Sequence, residues 1–254
     1  DLGQYHFYGT PYDYNFNKRS VSHSMMLAVD PEEEFRRTSS NDGGTRFVRS
    51  CPTTPAQARA NPEFANGTVV SADFGPSRQR PFYSLFSVDL TSAYSGKIQN
   101  YVRTFCFLNL DNTTTPGALV ILDHMTAARP GIKKFWQVNT LTPPEATAEG
   151  VLLRNRDFGL DGQVSLRMLR PKPADRAVQI LSGKEAYSVF GQFFTPPKPE
   201  RPEANGHRVM FSPLREQASD VFLTVMSMSD EQAPELPLHL AELPEAFALT
   251  LADR

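Results

Sequence analysis

Cysteine, histidine and tryptophan are scarce in this chain of 254 residues: two Cys, five His and one Trp. The two cysteines, Cys51 and Cys106, cannot build a disulfide framework and lack the paired spacing of a zinc knuckle. A single bridge in an oxidising compartment and two free buried thiols both remain open. The second is favoured because Cys106 lies in an apolar strand pattern. Neither sign of charge is in excess, since 26 Lys and Arg stand against 28 Asp and Glu, for a formal net charge of −2. No global field therefore recruits nucleic acid or an anionic membrane, and anion binding has to come from a local cluster. No apolar run approaches the roughly 20 residues of a membrane-spanning helix, and the polar start at Asp1 is not a signal peptide. Phosphate loops, nucleophile elbows and dinucleotide fingerprints are missing too. The first residue is Asp rather than Met, the beginning expected of a piece cut from a longer chain.

What is present is apolar and aromatic. A hydrophobic fraction of 40% and an aromatic fraction of 11% exclude a disordered chain, and the length suits one large domain or two small ones. Strand patterns recur at residues 3–8, 46–48, 68–74, 82–90, 101–110, 118–123, 133–141, 150–153, 163–169, 178–181, 207–211 and 221–228. In the 101–110 pattern Val102, Cys106 and Leu108 share one face, and Tyr101, Arg103, Phe105 and Phe107 the other, as in a central strand covered on both sides. A short helix is expected near 54–60, and Pro237 and Pro244 break the one helical candidate near the C-terminus. The spacing predicts an all-β fold: a large two-layer antiparallel β-sandwich of the super-sandwich type, as one domain over 1–254.

One stretch carries chemistry. Residues 15–30 run from a cationic lead-in, Lys18-Arg19, through His23 into the apolar Met25-Met26-Leu27-Ala28-Val29 and end at Asp30. Read as a strand, this places an imidazole at the mouth of a core. Histidine exchanges protons near neutral pH and binds metals when neutral, so catalysis, metal ligation and an ordinary strand-edge role are all open to His23. Asn41-Asp42-Gly43-Gly44 reads as a turn, and Asp73 ends an apolar run before Gly75-Pro76. His124, His207 and His239 have no ligand partners at a useful spacing.

Several segments together resemble the heparinase II/III-like polysaccharide lyases, in the β-sheet portion that follows their helical toroid, with wording nearest heparinase II. They are the Lys18–Ser24 stretch, Asn41-Asp42-Gly43-Gly44, Tyr101-Val102-Arg103-Thr104-Phe105, Leu119 to Met125, Phe135-Trp136-Gln137-Val138-Asn139 and Gly206 to Phe211. The resemblance implies β-elimination on uronic-acid-containing polysaccharides such as heparin, heparan sulfate or alginate, in a periplasmic or secreted enzyme. It implies a partner as well, the helical toroid that carries much of the acid–base chemistry and is absent from this chain. It also implies a structural zinc held by His23, Asp42 and Asp73, with Asp73 standing where relatives prefer histidine. Some relatives carry two histidines two positions apart, whereas here Val21 and Met25 flank His23 at that spacing. The metal role is favoured for His23 and the catalytic role is kept beside it. Lys18, Arg19 and Arg46 would meet sulfate or carboxylate groups along the cleft. The rival expectation is a non-catalytic carbohydrate-binding or structural sandwich with an aromatic platform of Tyr5, Tyr8, Tyr12 and Tyr14.

Overall fold

Short alternating apolar runs separated by turn residues favour antiparallel ladders over helices, and the backbone follows that rule. The computed structural model describes residues 1–4, 9–36, 38–47, 51–155, 159 and 161–251. Strands take 47% of the residues and helix 15%, which makes the fold all-β. A four-stranded antiparallel sheet has the order β1 (Met26–Val29), β6 (Lys133–Thr140), β13 (His207–Pro213), β10 (Arg176–Ser182). The larger sheet begins with β2 (Thr68–Pro76), β3 (Pro81–Asp89), β4 (Ile98–Asn109) and β5 (Gly117–Ala127). It continues through β14 (Ser219–Asp230), β9 (Gly162–Arg170), β8 (Gly150–Asn155) and β7 (Glu145–Ala146). Among the described residues two small hairpins complete the set, β11 (Ser188–Val189) with β12 (Gln192–Phe193), and β15 (Leu238–Leu243) with β16 (Ala246–Leu251).

The period of two along each strand decides what meets between the sheets. Met26, Ala28, Trp136, Val138, Val209 and Phe211 from the small sheet pack on Tyr101, Ile121, Met125, Leu166, Met168 and Phe222 from the large one. The alternate residues Leu27, Phe135 and Met210 point the other way, into a second core with Leu2, Phe16, Val21, Tyr187 and Val189. Strands β1, β6 and β13 are thus buried on both faces, while β10 at the edge stays largely exposed, and this is why Met26–Val29 reads as a continuous apolar run.

A polar tie crosses the main core. Asp123, fully buried, accepts from Tyr101 Oη at 2.8 Å, from Arg103 Nε at 2.5 Å and Nη2 at 3.0 Å, and from Trp136 Nε1 at 3.1 Å. Trp136 belongs to the opposite sheet. Burial and the Asp123 charge together keep the Tyr101 phenol well above its ordinary range.

Three local expectations are corrected. The segment 15–30 is not one strand: Asp13–Asn17 and Ser20–Ser22 form tight helical turns, and the ladder starts only at Met26. Short polar side chains capture the backbone there, with Asn15 Nδ2 donating to Pro11 O and Ser22 Oγ to Arg19 O and Asn17 O. Arg46 and Phe47 lie outside any ladder, and Cys51 is exposed rather than buried while Cys106 is half-buried, both as free thiols. Near the C-terminus the prolines flank and turn the β15–β16 hairpin, a pairing the sequence reading missed. The expected strand at Tyr5–Tyr8, and Val48, lie outside the described residues.

Removing the Asp123 carboxylate leaves the buried Arg103 charge unpaired and the Trp136 N–H without an acceptor. Asp123→Ala is expected to cost about 3–5 kcal/mol in urea unfolding followed by Trp136 fluorescence, and a loss below about 1 kcal/mol would show that the network is not a structural tie.

Candidate functional site

The candidate site grows from the loop between Arg19 and Phe47. Asp42 is fully buried and both its oxygens are taken. Oδ1 accepts from Arg19 Nη2 at 2.6 Å, Arg19 Nε at 3.1 Å and the Gly44 N–H at 3.1 Å, and Oδ2 accepts from the Val21 N–H at 3.2 Å. The Arg19 guanidinium packs against the rings of Phe35 and Phe47, 4.3 and 4.5 Å from their centroids, and the two rings meet edge to face. The two glycines of the turn are both required. Gly43 sits at φ +67°, and a Cβ on Gly44 would stand 2.3 Å from Ser20 Oγ.

This anchor fixes the turn Ser20–Ser22, whose next residue is His23. The backbone carbonyls of Ser20, Val21 and His23 all accept from the side-chain amide of Gln137, at 3.2, 3.0 and 2.5 Å. Gln137 Oε1 in turn accepts from Arg208, itself buried, whose pKa burial pushes down to about 10. Lys97 braces the far side of the loop through Glu33 Oε2 at 2.5 Å and the Gly44 carbonyl at 3.0 Å. Sequence reasoning missed Gln137, Lys97 and Arg208. The available signal was a polar residue at a strand position flanked by Phe135, Trp136 and Val138.

On this frame the His23 side chain is 43% exposed, with Nδ1 3.0 Å from Asp1 Oδ1. Burial lowers its pKa below the ordinary value, and the Asp42 charge partly opposes this. The ring is therefore neutral at pH 7 and able to accept a proton. Lys18 is the exposed cation of the lead-in, with its ammonium 2.8 Å from Asp13 Oδ2.

The other expected site residues are not brought together. Asp73 lies on the exposed strand β2 at the edge of the large sheet, where its carboxylate accepts from Tyr83 Oη at 2.8 Å. Asp42 is saturated by Arg19 and two backbone N–H groups, and among the described residues no three His, Cys, Asp or Glu stand together as metal ligands. With Asp42 committed to Arg19, and Asp73 bonded to Tyr83 on the edge of the large sheet, these residues do not join His23 in a tetrahedral zinc site. Arg19 is buried in its ion pair. Arg46 is engaged with Ser92 O, Glu63 O and Asn66 Oδ1, so both guanidiniums have structural partners in place of an open cleft. In the expected tyrosine platform, Tyr12 is buried and hydrogen-bonded to Gln4 N and Leu2 O, and Tyr5 and Tyr8 lie outside the described residues.

No family model and no curated protein matches the sequence. Solved structures do. The chain is similar to a structure of heparinase III, at 12% identity and TM-score 0.46, over 73% of this chain and 26% of that one. It is also similar to the heparan sulfate lyase HepC from Pedobacter heparinus, at 13% identity and TM-score 0.45, over 84% of this chain and 33% of that one. A third, the heparinase III BT4657 gene product, matches at 10% identity and TM-score 0.46, with 73% and 26% covered. The chain thus spans between a quarter and a third of the structures it matches.

The His23 environment has a pH signature. Because its folded pKa is depressed, the unfolded chain takes up a proton first as pH falls, so this contribution to stability is full above about pH 6.5 and is lost below it. NMR titration of the imidazole is expected to give a midpoint below about 6.5, lowered further in Asp42→Asn, whose missing charge no longer favours the protonated ring. A midpoint at or above the ordinary value would contradict this environment.

Proposed function

We propose that this chain is the β-sandwich portion of a polysaccharide lyase, cleaving uronic-acid-containing polysaccharides of the heparin, heparan sulfate or alginate type by β-elimination in a periplasmic or secreted enzyme. The observation that carries the reading is His23: a neutral, half-exposed imidazole on a backbone hook held by the buried Asp42 carboxylate and the Gln137 amide. The resemblance of the Lys18–Ser24 stretch to the lyases' β-portion supports the same reading.

The chemistry sets what such a residue does. In β-elimination a base removes the proton at C5 of the uronate, and the C–H electron pair becomes the C4–C5 double bond. The C4–O bond then breaks, and the leaving oxygen takes a proton from an acid. Neutral His23 suits the proton-accepting step, and the exposed Lys18 ammonium suits the uronate carboxylate, whose charge must be screened for C5 to acidify. Among the described residues no leaving-group acid stands beside His23, so in this reading a helical half supplies it. Zinc takes no part in this reading. A non-catalytic binding module is the weaker account, because Tyr12 is inside the fold.

The test is release of unsaturated uronate, read from the ultraviolet absorbance of the new double bond. The chain alone is expected to release none. Joined to its helical half it should turn over, and His23→Ala should lower kcat about 10²–10⁴-fold with little change in KM. Strong turnover by the isolated chain would place the chemistry wrongly, and full activity in His23→Ala would remove its catalytic role.

A further inference from the structure

We propose that the loop at residues 195–202 carries a second anion subsite next to His23, in which Lys198 and Arg201 bind a sulfate or carboxylate of the same oligosaccharide. The inference rests on the lyase reading and deepens it by adding a substrate-contacting surface. A cavity of about 190 Å³ is lined by Gly3, Gln4, Lys198, Arg201 and Glu203, room enough for one such group. The loop around it is stiff, because Pro196, Pro197, Pro199 and Pro202 fix φ through Thr195-Pro196-Pro197-Lys198-Pro199-Glu200-Arg201-Pro202.

Lys198 is held in place by its backbone. The buried Gln4 side chain accepts from the Lys198 N–H at 3.0 Å and donates to the Lys198 carbonyl at 2.9 Å. The Gln4 N–H is itself bound to Tyr12 Oη at 3.0 Å. Arg201 closes a turn onto the same carbonyl at 3.1 Å. Both backbone groups of Lys198 are thereby spent on position while its ammonium stays available for a ligand. Neither it nor the Arg201 guanidinium has an ion-pair partner among the described residues.

Charge and distance define the ligand. Two cations against the one Glu203 carboxylate leave the cavity singly positive. That balance suits a monoanionic group, such as a uronate carboxylate or a sulfate ester, better than a dianion. The cavity also adjoins His23 directly along the chain. Asp1 contacts the His23 ring, the Leu2 N–H donates to Ser22 O at 3.0 Å, and Gly3 lines the cavity. Two extended residues span at most about 7 Å, so one oligosaccharide can touch both places. Lys and Arg in a prolyl loop carried no such signal in the sequence, since the clamp that positions them is Gln4, nearly 200 residues away.

Calorimetry on the 254-residue chain, with a heparin-derived oligosaccharide and an unsulfated oligouronate of equal length as probes, tests the subsite. Lys198→Gln and Arg201→Gln should each weaken binding about tenfold at low salt, less at high salt, with no change in Tm. Gln4→Ala keeps both charges but frees the loop, and should weaken binding as well. Loss on both probes assigns the carboxylate, and loss on the sulfated probe alone assigns the sulfate. Wild-type binding left unchanged by Lys198→Gln and Arg201→Gln overturns the subsite and leaves the lyase reading standing. Failure of the wild type to bind either probe overturns the subsite as well, while the lyase reading is judged by turnover of the chain joined to its helical half.

Discussion

Everything at the candidate site depends on one buried ion pair, Arg19 with Asp42. A carboxylate this deep is tolerated only when its oxygens are satisfied, and Asp42 meets that condition with one guanidinium and two backbone N–H groups. The geometry then constrains the chain on both sides. The Val21 N–H ties the turn before His23 to the Gly43-Gly44 turn, where Gly43 is needed for its positive φ and Gly44 because a side chain would strike Ser20. Phe35 and Phe47 close over the guanidinium and exclude water, which strengthens the pair. His23 stands at the end of this frame, where the buried network meets solvent.

The two sheets divide the remaining work. The larger sheet supplies the Asp123 network, which joins it to Trp136 and so fixes the position of β6. Gln137, the next residue of that strand, points to the opposite face and holds the carbonyls of the His23 turn. Strand alternation therefore connects core stability to site geometry through two adjacent residues. Displacing Trp136 would carry Gln137 with it.

The sheet was legible in the sequence because it rests on local pattern. Ten of the strands, β2 to β6, β8 to β10, β13 and β14, fall where apolar runs place them, and in β4 Tyr101, Arg103 and Phe105 turn to the core, while Phe107 is exposed where the pattern suggested cover on both sides. The β15–β16 hairpin escaped notice because its prolines spoke only against helix. The site was legible in part. His23 stood out by chemistry, yet its surroundings depend on contacts between distant residues, and no local pattern shows that Asp42 will be spent on Arg19, 23 positions earlier, or that Asp73 will fold onto an exposed edge. Cationic residues such as Arg19 and Arg46 read as ligand-binding groups when isolated. Burial beside a carboxylate or a run of carbonyls turns them into structural ones.

Amide hydrogen exchange at Val21 and Gly44 tests the central claim most directly, because both N–H groups end on the Asp42 carboxylate. A rigid frame predicts that both exchange only through global unfolding, with the same protection as the strand amides of β6, and that Asp42→Asn weakens both together. Fast exchange of either amide in the wild type, while β6 stays protected, would mean that the loop opens independently and that His23 is not held by the fold.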